Sequence, residues 1–411
     1  MNELFRRILF HTHWLLVALV IGLGILGVIV IDTATFNRTG QWENLTSLPG
    51  RQSIWLLAGL GIFFVFSYIP HRWWIDRLYG AVGVYLVGLV LLVATRIFGK
   101  DVSGARRLLD LGPFDIQASQ VAILGGILLL AYVLSNERFR LLHPFFRVCL
   151  AGAIVGGPFL LVLTQPDLGS SLVWIPIFLG MLFISGIPKR YLVLMLVAGF
   201  GICAPLTIAF VLKPYQMSRL IIYQNPDLDP QGDGYALNRS LEAIGSAGSW
   251  GKGLRAEDSQ TGLGLVPVTV SPTDYIFTVA AESLGFVGGT TIIVTFSLLL
   301  LFLVSIALGA SRYQEGALGC LLVTGVSLWI FTHVFLNIGM TMSVVPITGL
   351  PLPLLSYGGS FLFSIMLGLG IAHNVHITRQ GELHALRELR RSSFGRSGLD
   401  VPSRYTGALT R

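Results

Sequence analysis

Apolar runs dominate this chain, separated by short polar links. A bilayer crossing needs about 20 apolar residues, and runs of that kind fall at about 12–32, 52–70, 78–97, 117–135, 147–164, 170–187, 190–212, 274–309, 315–340 and 355–378. They predict an all-α, polytopic integral membrane protein with about ten transmembrane helices. The eighth run is too long for one straight crossing. Gly285, Gly288 and Gly289 are expected to break or tilt it into a short entry segment and a full span. Between the seventh and eighth runs the chain turns polar over about 213–273, a large extracellular loop. Re-entry at Ser271-Pro272-Thr273-Asp274 reads as a helix start, with Ser271 as N-cap, Pro272 first and Asp274 third in the helix.

Composition agrees. The chain is 53% hydrophobic and 12% charged, with mean hydropathy +0.73, where a soluble protein carries about 25% charge. The net charge of +7 points to topology signals and anionic membrane lipid, and not to nucleic acid. Arg6, Arg7, Arg72, Arg77, Arg138, Arg140, Lys189, Arg190, Arg312 and Arg379 all fall on one side if the spans are counted in order. The positive-inside rule then puts both termini in the cytoplasm. Residues 1–380 form the membrane domain. Residues 381–411 form a basic cytoplasmic tail whose Leu383, Leu386 and Leu389 stripe suits a short helix on anionic lipid, disordered beyond Ser392.

Two features break the pattern. Asp274 and Glu282 are acids inside a predicted span, about two helical turns apart, and intramembrane acids are functional candidates. The alternative is that Asp274 caps the helix and Glu282 pairs within the bundle. Arg106 and Arg107 lie in an outward link, against the positive-inside rule. They suit an anion site for a phosphate, or are neutralised locally by Asp101, Asp110 and Asp115. Polar or Gly/Pro-rich clusters share that outer side: Gln165-Pro166-Asp167-Leu168-Gly169, Pro214-Tyr215-Gln216 with Arg219, Gly251-Lys252-Gly253, and Pro346-Ile347-Thr348-Gly349-Leu350-Pro351-Leu352-Pro353 running on to Ser356-Tyr357-Gly358-Gly359-Ser360. Irregular backbone at membrane depth is tolerated where it lines a cavity, so these clusters are expected to converge on one groove.

In order and in content, these motifs resemble the SEDS family, the membrane glycosyltransferases of bacterial shape, elongation, division and sporulation. The resemblance runs through all ten spans, and the Pro-Ile-Thr-Gly-Leu-Pro-Leu-Pro stretch is closest to the elongation branch. It implies polymerisation of lipid II into peptidoglycan strands beside a class B penicillin-binding protein. By motif, Asp274 matches the family's essential aspartate, and Arg106 or Arg107 its Gly-Ala-X-Arg residue. Asp167, Lys252 and Ser356 match further conserved-motif positions; with Arg219 they become candidates for binding the substrate or its diphosphate, and Glu282 is a further candidate. This chain departs from the family at Leu108, at Gln120 and Ile123, where an intramembrane ion pair is lost as a unit, at Pro272, and at Tyr275, where the family has Phe.

Glycosyl transfer needs a base for the acceptor hydroxyl, and partial burial raises an aspartate from its reference pKa of about 3.9. It also needs positive charge on the departing diphosphate, from Arg106, Arg107, Lys252 or a divalent cation, Mg²⁺ or Mn²⁺, near Asp274 or Asp167. No His/Cys cluster has zinc spacing, and no organic cofactor motif is present. Competing readings are a lipid-precursor flippase, which broken helices also suit, and a catalytically weak scaffold for the penicillin-binding partner.

Overall fold

A computed structural model describes residues 11–39, 47–75, 78–102, 105–110, 115–203, 205, 207, 214–311 and 316–394 of the 411-residue chain. The fold is an all-α bundle. Its long helices are α1 (Trp14–Thr39), α2 (Leu48–Tyr68), α4 (Leu78–Phe98), α5 (Ala118–Ser135), α7 (Pro144–Thr164), α12 (Ile276–Ser311), α13 (Ala317–Thr341) and α14 (Gly359–Phe394). Among the described residues these 8 are long and apolar enough to cross a membrane. The sixth predicted span is the shorter apolar helix α8 (Leu168–Ile184). The seventh is described only as α9 (Lys189–Ala198) and a π-helical turn at Gly199–Cys203. Short helices α3 (His71–Ile75) and α6 (Glu137–Arg140) join spans. Two more, α10 (Pro214–Gln224) and α11 (Asp233–Ser246), structure the polar stretch.

Packing follows side-chain polarity. α5 buries apolar residues all round, including Leu124, Ile127, Leu128 and Leu130, as an interior helix must. α4 turns Leu86, Val87, Val90 and Val93 outward, where lipid replaces a protein partner. Gln120, at the first lost charge, accepts a bond from Trp329 Nε1 at 3.2 Å, and Ile123 is fully buried. A neutral hydrogen bond and an apolar contact thus stand where the resemblance implies an ion pair.

The structure corrects four expectations. The link holding Arg106 and Arg107 is a three-stranded antiparallel sheet of β1 (Lys100–Val102), β2 (Ala105–Asp110) and β3 (Asp115–Gln117). Its backbone register pairs Arg106 with Asp101. The side chains of both arginines lie outside the described residues. Second, no separate tail helix begins at 381. α14 runs unbroken to Phe394, and Arg72 pairs with Glu382 at 3.4 Å. The backbone at 383–389 is thus continuous with the last span, and the proposed end of the tail, 395–411, lies outside the described residues.

Third, the eighth span begins at Ile276, not at Pro272. Residues 267–275 form consecutive turns: the amides of Val270 and Ser271 bond Pro267 O, and those of Thr273, Asp274 and Tyr275 bond Val270 O. The Ser271 hydroxyl is buried and caps nothing. Backbone turn bonds outcompete the capping pattern. Asp274 therefore precedes the helix, and the two-turn spacing that would align it with Glu282 on one face does not exist.

Fourth, of the three glycines only Gly285 breaks α12, with φ 72° and ψ −168°. Gly251, with φ +78°, backs onto it. A Cβ on Gly285 would overlap the Gly251 nitrogen, and one on Gly251 would overlap the Ser283 carbonyl. In that gap the carbonyls of Gly248 and Ser249 accept from Phe286 N (2.9 Å) and Val287 N (3.1 Å), satisfying the orphan donors that open the second half of α12.

Candidate active site

The turn at 272–274 is held by its carbonyl oxygens. Pro272 O accepts from Tyr357 N at 2.9 Å, Thr273 O from Ser356 Oγ at 2.5 Å, and Asp274 O from Asn337 Nδ2 at 2.8 Å. Ser356 Oγ also accepts from Leu352 N at 2.7 Å, and Asn337 Nδ2 also donates to Leu350 O at 2.7 Å. Buried Gln52 continues the frame: its Nε2 donates to Ser356 O at 3.3 Å and its Oε1 accepts from Gly358 N at 3.3 Å. Three successive peptide units are thus fixed by two distant segments, leaving the Asp274 carboxyl half-buried on a rigid support.

Tyr275, next in the chain, packs toward a charged group of the polar stretch. Arg219 on α10 donates from Nε to Asp233 Oδ2 on α11 at 3.0 Å, with the arginine side chain 15% exposed. The Tyr275 ring packs with Ala236, Ala243 and Val266. Burial raises the Tyr275 hydroxyl above its ordinary range, the Asp233 and Asp274 carboxylates push it further, and Arg219 opposes them. One hydroxyl therefore feels all three charges.

The other candidates divide. Glu282 is fully buried and its carboxylate is saturated. Oε1 takes Lys252 Nζ at 3.0 Å and the Gln260 amide at 2.5 Å. Oε2 takes the Thr261 amide at 3.0 Å and the Thr261 hydroxyl at 2.6 Å. Lys252 and Glu282 thus clamp the outer loop to the entry half of α12. Asp167 caps α8, its Oδ1 accepting from Ser170 N at 3.1 Å. It lies near His333, which stacks on Phe361 and bonds Pro351 O through Nδ1 at 3.0 Å. Ser356 is buried with its hydroxyl in use. So Asp274 and the Arg219–Asp233 pair are linked through Tyr275, with Ser356 bonding the turn that carries Asp274, while Lys252 and Glu282 form a second cluster.

Sequence reasoning missed Asp233 and Gln52 as parts of this site. Asp233 stands in the first turn of α11, where acids are ordinary. Asn337 and His333 are four residues apart on α13 and both tie the 350–351 loop to that helix; polar residues at helical spacing in an apolar run were the available signal. Among the described residues no three His, Cys, Asp or Glu side chains are grouped to hold a metal ion.

An acid on a rigid turn, with an arginine–carboxylate pair beside it in a helical bundle, defines a membrane protein built to handle a polar, charged group at the edge of the bilayer. Comparison with known proteins makes this specific. The family model described as Cell cycle protein, covering FtsW, RodA and SpoVE, matches residues 13–381. Peptidoglycan glycosyltransferase RodA of Treponema pallidum is 30% identical, over 88% of this chain and 97% of that protein. Peptidoglycan glycosyltransferase MrdB of Escherichia coli K12 is 36% identical, over 79% and 84%. A chain from a solved peptidoglycan synthase complex, described as coordinating polymerization and crosslinking, superposes with TM-score 0.72 at 31% identity, covering 90% of this chain and 98% of that one. The rod shape determining protein RodA of Thermus thermophilus does so at 0.63 and 26%, with the same coverage. The chain belongs to the FtsW/RodA/SpoVE family, the SEDS glycosyltransferases, and is a bacterial membrane protein.

Proposed function

We infer that this chain, a peptidoglycan glycosyltransferase by family, polymerises lipid II with Asp274 as general base. The acceptor hydroxyl gives its proton to the Asp274 carboxylate as its oxygen bonds the donor's anomeric carbon. The bond from that carbon to the diphosphate oxygen breaks, and the lipid diphosphate leaves. Arg219 carries the charge of the departing diphosphate, with Arg106 and Arg107 as further candidates. The observation that carries this reading is the fixing of the 272, 273 and 274 carbonyls beside the Arg219–Asp233 pair. A base held that firmly is positioned before substrate arrives.

Ser356 acts as a positioning residue, and Lys252 with Glu282 shapes the outer loop. A divalent cation carried in on the substrate's phosphates would be held by Asp274 or Asp167 and would offset the charge of the diphosphate; Asp167 already has its Oδ1 on the Ser170 amide at the start of α8. The polar stretch faces outward and both termini inward, by the distribution of Lys and Arg. The resemblance to a chain of a synthase complex supports a class B penicillin-binding protein as partner. Titrating purified Arg219→Gln protein with lipid II tests the diphosphate role. Affinity should fall about tenfold, as a charged hydrogen bond is lost; unchanged affinity would remove Arg219 from the site.

A further inference from the structure

Tyr275 carries a hydroxyl that the resting structure does not use. The side chain is 3% exposed, and its Oη is buried with no hydrogen-bond partner among the described residues. Leaving such a group unsatisfied is unfavourable. The ring alone would pack as well against Ala236, Ala243 and Val266. The hydroxyl is therefore unfavourable unless another state employs it.

Its surroundings indicate which state. Asp233 shares its Oδ2 with Arg219 Nε at 3.0 Å, so the arginine assigned to the diphosphate is engaged with a carboxylate before substrate binds. When a diphosphate draws Arg219 away, Asp233 loses that partner. The Tyr275 ring packs on Ala236, one turn along α11 from Asp233, and a tyrosine hydroxyl can donate to a carboxylate. Catalytic hydrogen bonds that are long in the free enzyme commonly tighten in the substrate complex.

We propose that Tyr275 is a positioning residue for substrate binding, taking up the Asp233 carboxylate when Arg219 turns from it to the diphosphate of the lipid-linked substrate. The exchange makes the release of Arg219 less costly. It sets affinity rather than chemistry. The inference rests on the diphosphate role of Arg219.

The test is a double-mutant cycle in lipid II affinity, using the full-length protein as wild type, Tyr275→Phe, Asp233→Asn and the double variant, with thermal melting read in parallel. Tyr275→Phe should weaken binding about three- to tenfold, the size of one hydrogen bond, while melting without ligand stays level or rises, because no resting bond is lost. In the Asp233→Asn background the same change should have less than about a twofold effect, because the carboxylate that needs the donor is gone. Equal weakening in both backgrounds, no weakening, or a melting loss that accounts for it would overturn the proposal. Arg219→Gln separates the two levels. If it leaves affinity unchanged, the diphosphate reading has failed and this proposal with it. If it weakens binding while the cycle is additive, only the Tyr275 exchange is wrong.

Discussion

Glu282→Gln should release the outer loop from α12 without unfolding the bundle. The carboxylate takes four donors in a fully buried setting: Lys252 Nζ, two backbone amides and the Thr261 hydroxyl. Glutamine keeps one acceptor oxygen and turns the other into an NH₂, a donor facing donors. It also leaves the Lys252 ammonium, 23% exposed, without its counter-charge. Breaking a buried pair by removing one partner costs about 3–5 kcal/mol. The loop absorbs most of this, since Lys252, Gln260 and Thr261 are the residues held. At about 1.4 kcal/mol per factor of ten, amide protection across 252–263 should fall on the order of 10²–10³-fold in hydrogen exchange, while α5 and α13 keep theirs. Polymerisation should fall too, because the amides of Leu265 and Val266 bond Gln260 O and Val266 packs on Tyr275. The paired change Lys252→Met with Glu282→Leu removes both charges and should lie closer to wild type than Glu282→Gln does. Unchanged exchange at 252–263 in Glu282→Gln would refute the clamp and return Lys252 to the diphosphate site.

Ser356→Ala removes the hydroxyl that joins Leu352 N to Thr273 O; kcat should drop about tenfold with lipid II KM nearly unchanged, since the base is displaced and not the binding groups. Gly251→Ala places a Cβ against the Ser283 carbonyl at a positive φ and should lower the melting temperature, with a destabilisation of about 1–3 kcal/mol. In a cysteine-free background, Gln231→Cys should react with an impermeant thiol reagent from outside the cell and Glu137→Cys only after permeabilisation; the reverse pattern would invert the topology.

Much of this fold was legible because membrane spans are written in length and apolarity alone, and the glycines at 285, 288 and 289 announce a break in the eighth span, though only Gly285 makes it. The start of α12 was not, because Ser271-Pro272-Thr273-Asp274 satisfies the capping pattern while its amides turn back to Pro267 and Val270. Capping chemistry and turn chemistry use the same residues. Asp274 and Arg219 were legible as charges in apolar or outward positions. Lys252 was legible as a charge but not as the partner of Glu282, 30 residues away, and the Arg219–Asp233 pair depends on how α10 and α11 fold back on each other. Asp101 facing Arg106 is a matter of strand register, which a sequence read as a loop does not contain.

The central claim is that Asp274 is the base. Asp274→Asn is nearly isosteric, and the turn is held through backbone carbonyls that asparagine keeps, so insertion and melting should match wild type. The measurement is glycan-strand synthesis from lipid II by the two proteins at equal folded concentration, with the penicillin-binding partner present in both. An amide cannot take the acceptor proton, and the expected result is a fall in rate on the order of 10²-fold or more. Strands of equal length made at equal rates would contradict the account.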